Sequence, residues 1–305
     1  MSTASIASPV GVLRRDELPR GRSMLDLSSL FPKSAPRTLW HYTSATAFLS
    51  ILESRLIYLT HYGFMNDPAE GRLGLHRLAW NLQAATKGSS RPEIVRVVRS
   101  ICSEFAHPRR APRPTFVASF SEEGDSLSQW ARYGDDGRGI ALGFRVNTDC
   151  HEHFNGMPVM GPSLSKVRYI RKDDGTAIDD ILMEAVRLVK RRRMERDDLE
   201  IELATLFEFA GPAIKAHGYA EEKEWRLVLA GLDIADVPDS ILGFRATRRG
   251  LVPHIKMRLG EDTLDLSQVR LGPQYPRDTD HVMQKLLRHY KCRAKFDRSR
   301  LSYRA

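Results

Sequence analysis

The sequence predicts an α+β protein with a mixed, mainly antiparallel central sheet that is flanked by helices. Short segments in which apolar residues alternate with other residues predict strands, and segments with apolar residues three and four positions apart predict helices. Neither an internal repeat nor a low-complexity linker interrupts residues 37–305. We therefore expect these residues to form a single α+β domain with a helical insertion at about residues 177–216.

The centre of the predicted fold is the stretch from Thr115 to Val146. Alternating apolar residues predict two strands there, the first of which ends just after Ser119. A short helix is predicted between them because Leu127, Trp130 and Ala131 recur at helical spacing. That helix carries polar and aromatic residues just past a strand end, where binding sites tend to lie: Gln129, Trp130 and Tyr133.

The residues before this centre predict a leader and a first set of elements. Residues 1–36 are rich in Ser, Ala, Pro and Arg, and we expect them to be flexible. Residues 38–44 predict a strand that leads into a helix with an inward stripe of Phe48, Leu49 and Leu52. A strand at 55–60 and two amphipathic helices follow.

The second half of the chain predicts a similar mixture. Strands are expected at residues 166–170, 224–229 and 268–271, and two helices or one broken helix at 177–216. A helix and a last edge strand within residues 294–303 complete the predicted fold.

The composition favours an intracellular protein with an anionic partner. The chain has 47 Lys and Arg against 38 Asp and Glu. This net charge of +9 favours an anionic partner, such as a nucleotide, a nucleic acid, an acidic lipid or an acidic protein, or else serves solubility alone. Basic residues cluster at 109–113 and 191–193, where we expect charged patches. Three scattered cysteines and the lack of a signal peptide or membrane-spanning segment predict a cytoplasmic protein that does not bind a membrane.

Several classes of site are disfavoured. The sequence lacks the phosphate-binding, nucleophile-elbow and HExxH motifs of P-loop and Rossmann proteins, serine hydrolases and zincins. Asp67 and Glu70 could join Asp125 around a metal, but the Asn-Asp-Pro context already explains Asp67 as a turn residue. The cluster at Cys150–His153 has no second set of ligands at zinc-site spacing. We therefore expect no metal.

Six motifs, taken in order, resemble the domain-of-unknown-function family 2971. They are L-W-H-Y-T-S at 39–44, N-D-P-x-E at 66–70, F-S-E-E-x-D with W-x-x-Y at 120–133, E-x-E-W-R at 222–226, G-P at 272–273 and S-R-L-S-Y-R at 299–304. The resemblance covers most of the residues from 38 to 304. The family name implies no established activity.

The opening H-Y-T, followed by a capped helix and a strand, is more distantly similar to the start of ADP-ribosyltransferase folds. That resemblance implies a strand His that binds NAD, an aromatic residue that stacks on nicotinamide, and a catalytic Glu on a later strand. Carried over residue by residue, these roles fall to His41, to Tyr133 or Trp130, and to Glu224. Glu222 completes an E-x-E pattern that some of these transferases carry.

The chemistry of NAD cleavage fits these residue types. Breaking the nicotinamide–ribose bond builds positive charge on the sugar, which a carboxylate such as Glu224 would stabilise more in the transition state than in the ground state. An aromatic face holds the flat nicotinamide, and an imidazole can bond a ribose hydroxyl. Tyr42, at a strand-to-helix junction, and Ser119, at a strand end, are also expected to bind the cofactor.

Each candidate also has a structural interpretation. His41 can be a hydrogen-bonded structural histidine, and Trp130 can be a core residue. Glu222 and Glu224 can be charges at a strand start, with Arg226 as their partner.

Two functions remain open. The first is an NAD-dependent ADP-ribosyltransferase-like enzyme that serves as a phage-defence or toxin effector. The alternative is a non-catalytic nucleotide- or nucleic-acid-binding module in which the same cluster acts through stacking and basic residues. A nuclease would need a carboxylate metal site that the sequence does not make convincing.

Overall fold

The computed structural model describes residues 36–65, 72–106, 115–146, 163–171, 178–190, 196–230, 237–247, 250–260 and 264–303. Several sequence predictions lie outside these ranges. They are the leader up to residue 35, the basic clusters at 109–113 and 191–193, and the candidate metal ligands Asp67, Glu70 and Cys150–His153.

The described residues form strands and α-helices that we number in chain order. The strands are β1 (Thr38–Thr43), β2 (Leu56–His61), β3 (Phe116–Ser121), β4 (Ile140–Val146), β5 (Ser163–Lys166), β6 (Arg168–Ile170), β7 (Ile214–Ala216), β8 (Glu224–Leu229), β9 (Leu242–Thr247), β10 (Gly250–Arg258), β11 (Leu264–Leu271) and β12 (Lys295–Arg298). The helices are α1 (Ala45–Ser54), α2 (Arg72–Thr86), α3 (Pro92–Ala106), α4 (Leu127–Tyr133), α5 (Asp179–Lys190), α6 (Arg196–Ala210) and α7 (Asp280–His289). Two 3-10 helices span Tyr62–Phe64 and His217–Glu222.

The predicted fold class is confirmed: the protein is α+β, with a mixed, mainly antiparallel sheet flanked by helices. Ten strands form this sheet, in which β11 and β12 are parallel neighbours, and β6 and β7 form a small second parallel sheet. Helices α5 and α6 occupy most of the segment expected to be helical, and the chain then forms β7 rather than continuing the helix. Among the described helices, none combines the length and the apolar character needed to cross a membrane.

The sheet divides at β3. One edge of β3 pairs with β8 along its length. The other edge pairs with β1 at Ser121 and with β2 at Phe116 and Val117. On its other edge, β1 pairs with β4, which continues one branch of the sheet to β11 and β12. On its other edge, β2 pairs with β10, which continues a second branch of the sheet to β9. Because β1 and β2 diverge, the middle of this edge of β3 faces a gap between the two branches, which we call the fork.

Apolar residues pack on both faces of the sheet. On one face, α1 and α7 contribute Phe48, Leu52 and Leu287 to a core shared with the strands. On the other face, α2, α3, α5 and α6 pack together over β8 and the small sheet, with Val228 in that core. Leu49 is 38% exposed, so the predicted inward stripe of α1 is wrong for this residue. Ser44 caps α1, since its hydroxyl accepts the Ala47 N–H at 3.2 Å.

The C-terminal tail fastens the segment around α4. The Asp125 carboxylate accepts the Ser299 hydroxyl at 2.6 Å, the Arg300 N–H at 2.9 Å and the Trp130 indole N–H at 2.9 Å. Tyr303 donates to the Asp136 carboxylate at 2.5 Å. The motifs at 120–125 and 299–304 therefore meet in a structural contact that fixes the position of α4.

Candidate functional site

A cavity of about 520 Å³ lies in the fork. Its walls come from β1, α1, β2, β3 and α4, together with side chains from β7 to β9. The structure brings most of the sequence-predicted site residues to this wall. They are His41, Tyr42, Ser119, Tyr133, Glu222 and Glu224.

His41 lies where the fork opens. Its Nδ1 donates to the Ser119 carbonyl at 2.9 Å, which satisfies a backbone group on the edge of β3. Burial lowers the pKa of His41, the Ser119 bond opposes this shift, and the nearby Arg245 adds to it. The imidazole is therefore neutral at pH 7, with the proton on Nδ1 and a lone pair on Nε2. His41 thus has the predicted structural hydrogen bond and an acceptor atom that remains to meet a ligand.

Glu224 is held by two cations. Arg226 donates to both of its carboxylate oxygens, at 2.7 and 2.9 Å, and Lys215 donates to Oε2 at 2.9 Å. Burial alone would raise the pKa of the Glu224 carboxyl, but Arg226 and Lys215 outweigh this effect and hold the pKa at about 2. The carboxylate is therefore ionised at every physiological pH, and the predicted pairing with Arg226 is present.

Glu222 lies in the same charge network. Its Oε2 accepts Lys215 at 2.6 Å, and its Oε1 accepts Arg132 at 2.8 Å and the Tyr133 hydroxyl at 3.3 Å. Glu222 and Glu224 are both buried, so the alternative interpretation of these residues as exposed charges at a strand start does not hold. A buried carboxylate needs charged or hydrogen-bonding partners. The partners of Glu222 and Glu224 come from α4, β7 and β8, so the network connects these three elements.

Arg226 is fully buried and needs room in the sheet. Its neighbours in the pairing register are Ser119 on β3 and Ser165 on β5, both of which are small. Both serine hydroxyls are buried and make no hydrogen bond of normal geometry to the described residues. The Ser119 hydroxyl is nevertheless close enough to Glu224 to help keep its pKa low. Arg226 also donates to the Pro212 carbonyl at 2.8 Å, on the helical side.

Trp130 does not line the cavity. It is fully buried in a small core with Trp40, Tyr42 and Ala141, and its indole N–H is bonded to Asp125. Its ring meets the Tyr42 ring edge-on, with 4.7 Å between centroids. Trp130 is therefore a core residue. A nicotinamide ring cannot stack on its indole, because both faces of the indole are packed against other residues.

Tyr42 and Tyr133 reach the cavity in different ways. The Tyr42 ring is buried, and its hydroxyl donates to the Glu123 carbonyl at 2.7 Å and accepts the Ser126 N–H at 3.1 Å. That hydroxyl is therefore committed to the loop before α4. Tyr133, the last residue of α4, is more exposed and lies on the cavity wall. The sequence offered Tyr133 and Trp130 as candidates for stacking on nicotinamide, and of these two only Tyr133 lines the cavity.

Sequence reasoning missed several residues of the cavity wall. Lys215 and Arg245 each come from short strands far along the chain, and Tyr58 stacks on His254 with 4.0 Å between centroids. Gln129 was noted on the central helix but was not assigned to the site, and it lies on the wall. A signal for Gln129 did exist, because it is four residues from Tyr133 and such residues share a helix face.

A metal site is not evident in the described part of the chain, since no group of three or more His, Cys, Asp or Glu side chains is placed to hold an ion. The polar groups of the cavity wall include an imidazole, an amide, several hydroxyls, two carboxylates paired with Lys215 and Arg226, and Arg245. This set suits an organic ligand with ring and anionic parts.

Part of the chain matches a known protein family. No curated protein and no solved structure matches the chain. Residues 129–227 of the 305 match the model of a family described as "Protein of unknown function (DUF2971)". The matched segment runs from Gln129 through the Lys215 and Glu222 network to Leu227. The match supports the family resemblance indicated by the motifs, and it covers one wall of the cavity.

Proposed function

We propose that the protein binds a nucleotide, with NAD as the first candidate, in the cavity of the fork. The observation that carries this proposal is the combination of aromatic walls with Arg245, a cation that forms no ion pair with the described residues. The cavity volume of about 520 Å³ lies within the range of about 300–1,000 Å³ typical of small-molecule sites. A cytoplasmic location, which the three scattered cysteines favour, would give access to such nucleotides.

The aromatic side chains supply the surface for a flat ring. Tyr58, Phe64 and Tyr133 all line the cavity, and Phe64 and Tyr133 are partly exposed there. Stacking of a base on an aromatic ring stabilises binding by about 1–3 kcal/mol and tolerates any base. A nucleobase or a nicotinamide ring therefore has a place in this cavity.

Arg245 supplies the charge for a phosphate. Its guanidinium donates to the Thr60 hydroxyl at 3.0 Å, and no carboxylate of the described residues neutralises it. Arginine is well suited to phosphate because its planar group donates two parallel hydrogen bonds. The carboxylates of Glu222 and Glu224 do not oppose an anionic ligand strongly, since Lys215, Arg226 and Arg132 already neutralise them.

The proposal is tested by thermal shift on the full chain with NAD, AMP, adenosine and inorganic phosphate. A ligand that binds only the folded state raises the melting temperature. We expect NAD and AMP to do so and to bind about 10-fold or more weakly to Arg245→Gln, because a charged hydrogen bond to phosphate is lost. Adenosine should bind both forms alike. The matched control is Arg99→Gln, since Arg99 is an exposed arginine on α3. If NAD and AMP leave the wild-type melting temperature unchanged, the proposal fails.

Glycosyl transfer from NAD is a second candidate function, in which the protein would act as a phage-defence or toxin effector. It is favoured by the location of His41, Tyr133 and an ionised Glu224 on one cavity wall. The pairing of Glu224 with Arg226 and Lys215 weakens it, because a neutralised carboxylate stabilises a cationic sugar less than an unpaired one. Nicotinamide release from NAD by the wild-type protein is the deciding measurement. Binding without release would leave the nucleotide-binding proposal standing and remove the enzymatic one.

A further inference from the structure

Gln129 is a mostly buried polar residue whose side-chain amide makes no hydrogen bond to the other described residues. The residue is only 5% exposed and lies on the cavity wall. Within the described ranges of the chain, no hydrogen bond reaches its side-chain amide. The amide atoms are not among the fully buried polar atoms that lack a partner, so they are open to the cavity, where a polar ligand group can bond to them.

The position of Gln129 is fixed by the elements around it. The adjacent Trp130 is fully buried and bonded to Asp125, which in turn holds the C-terminal tail. Helix α4 ends at Tyr133, and the N–H of the next residue, Gly134, is bonded to the Gln129 and Trp130 carbonyls. These contacts hold the backbone of α4 in place, so the Gln129 side chain starts from a fixed point on the cavity wall.

Gln129 also lies beside the aromatic wall. Tyr133 is four residues further along the same helix, so the two side chains lie on one helix face, and both line the cavity. A flat ring that stacks on Tyr133 would therefore present its edge near Gln129.

We infer that Gln129 reads an amide-type edge of the bound nucleotide, meaning an adjacent hydrogen-bond donor and acceptor on a base or on a carboxamide. The glutamine amide offers one acceptor oxygen and an NH₂ donor in a fixed geometry, which matches such an edge with two parallel bonds. This inference rests on the proposed function and specifies which part of the ligand is recognised.

The test is calorimetric titration of the full chain with two pairs of probes. Each pair contains a nucleotide and an analogue with an altered edge: NAD with nicotinic acid adenine dinucleotide, and AMP with purine riboside monophosphate. We expect the wild-type protein to prefer the natural member of at least one pair by about 10-fold or more. Gln129→Leu should weaken binding of that member by a similar factor and abolish the preference.

Two further measurements keep the result interpretable. The melting temperature of Gln129→Leu should not fall, because the amide has no partner to lose among the residues that the structure describes. Gln129→Met, which keeps the length of the side chain, should repeat the result, and Gln284→Leu on the exposed face of α7 should bind as the wild type does.

The outcomes separate the two proposals. If the wild-type protein binds none of the probes, both the proposed function and this inference are overturned. If it binds them and Gln129→Leu keeps the same affinity and the same preference, the inference alone is overturned.

Discussion

Single residues at this site contribute strongly to the stability of the fold, as the Glu224 carboxylate illustrates. Two buried cations, Lys215 and Arg226, face it, and the partly exposed Arg132 joins the network through Glu222. Taking one member out of a buried ion network is costly because the remaining charges stay buried without compensation. The Glu224 carboxylate therefore stabilises the fold regardless of any part it has in function.

We expect Glu224→Gln to lower the free energy of unfolding by about 3–5 kcal/mol. The matched control is Glu123→Gln, because Glu123 pairs with Lys223 in a half-exposed ion pair at the same edge of the sheet. Such pairs contribute about 0–1 kcal/mol. Urea denaturation of both variants measures the difference, and equal stabilities would show that the network does not support the fold.

The low pKa of Glu224 predicts an acid-dependent loss of stability. The unfolded carboxyl titrates near pH 4.3 and the folded one near pH 2, so the unfolded state binds the proton first as the pH falls. Stability from this group is complete above about pH 5 and is lost progressively toward pH 2. Chemical denaturation at a series of pH values should show a shallower acid dependence in Glu224→Gln. If the unfolding free energy of that variant falls with pH as steeply as that of the wild type, Glu224 does not have a lowered pKa in the folded state.

At this scale the sequence predicts part of the network. The alternation of Glu222, Glu224 and Arg226 places all three side chains on one face of a strand or its approach, so the Glu224–Arg226 pair was predictable. Lys215 and Arg132 were not, because no local pattern links them to this strand. Trp130 was equally ambiguous, since a buried aromatic residue and a stacking one have the same sequence spacing.

At the scale of elements, close contacts between turns position the central unit. A Cβ atom on Gly272 would lie 2.2 Å from the Gly137 carbonyl oxygen, and the Gly272 N–H donates to the Gly139 carbonyl at 3.0 Å. The turn after β11 therefore packs directly on the turn between α4 and β4. Glycine is needed there because of this backbone approach.

Replacement of Gly272 by Ala should therefore destabilise the protein by about 1–3 kcal/mol, because the turns must move apart. Gly218→Ala is the matched control, since a Cβ atom there would meet nothing within 4 Å. Thermal denaturation compares the two. A Gly272→Ala variant as stable as Gly218→Ala would show that the turns can separate without cost.

The short elements were the hardest to predict. In α4 the sequence spacing indicated Leu127, Trp130 and Ala131 as the buried face, whereas Leu127 and Ala131 are exposed and Gln129 is buried with Trp130. Seven residues make about two turns, too few for the apolar period to fix a face. The longer helices α2 and α3, which the sequence predicts to be amphipathic, do bury apolar residues at helical spacing, such as Leu78 and Val97.

At the scale of the whole molecule, the sequence predicts the fold class but not the fork. Strand and helix periods are local, and they correctly gave an α+β protein with a mainly antiparallel sheet. The divergence of β1 and β2 from one edge of β3 depends on pairings between distant segments, which leave no local signal. The cavity is a product of that divergence, so its walls became visible only in the structure.

If the fork binds a nucleotide, a large side chain placed in the fork should block binding. Ala47 on α1 lines the cavity, whereas Ala45 on the same helix is exposed. Calorimetric titration with NAD should give binding to the wild-type protein and to Ala45→Phe. Ala47→Phe should bind at least about 10-fold more weakly, because its ring occupies the ligand volume. If folded Ala47→Phe binds NAD as tightly as Ala45→Phe does, the nucleotide does not bind in the fork.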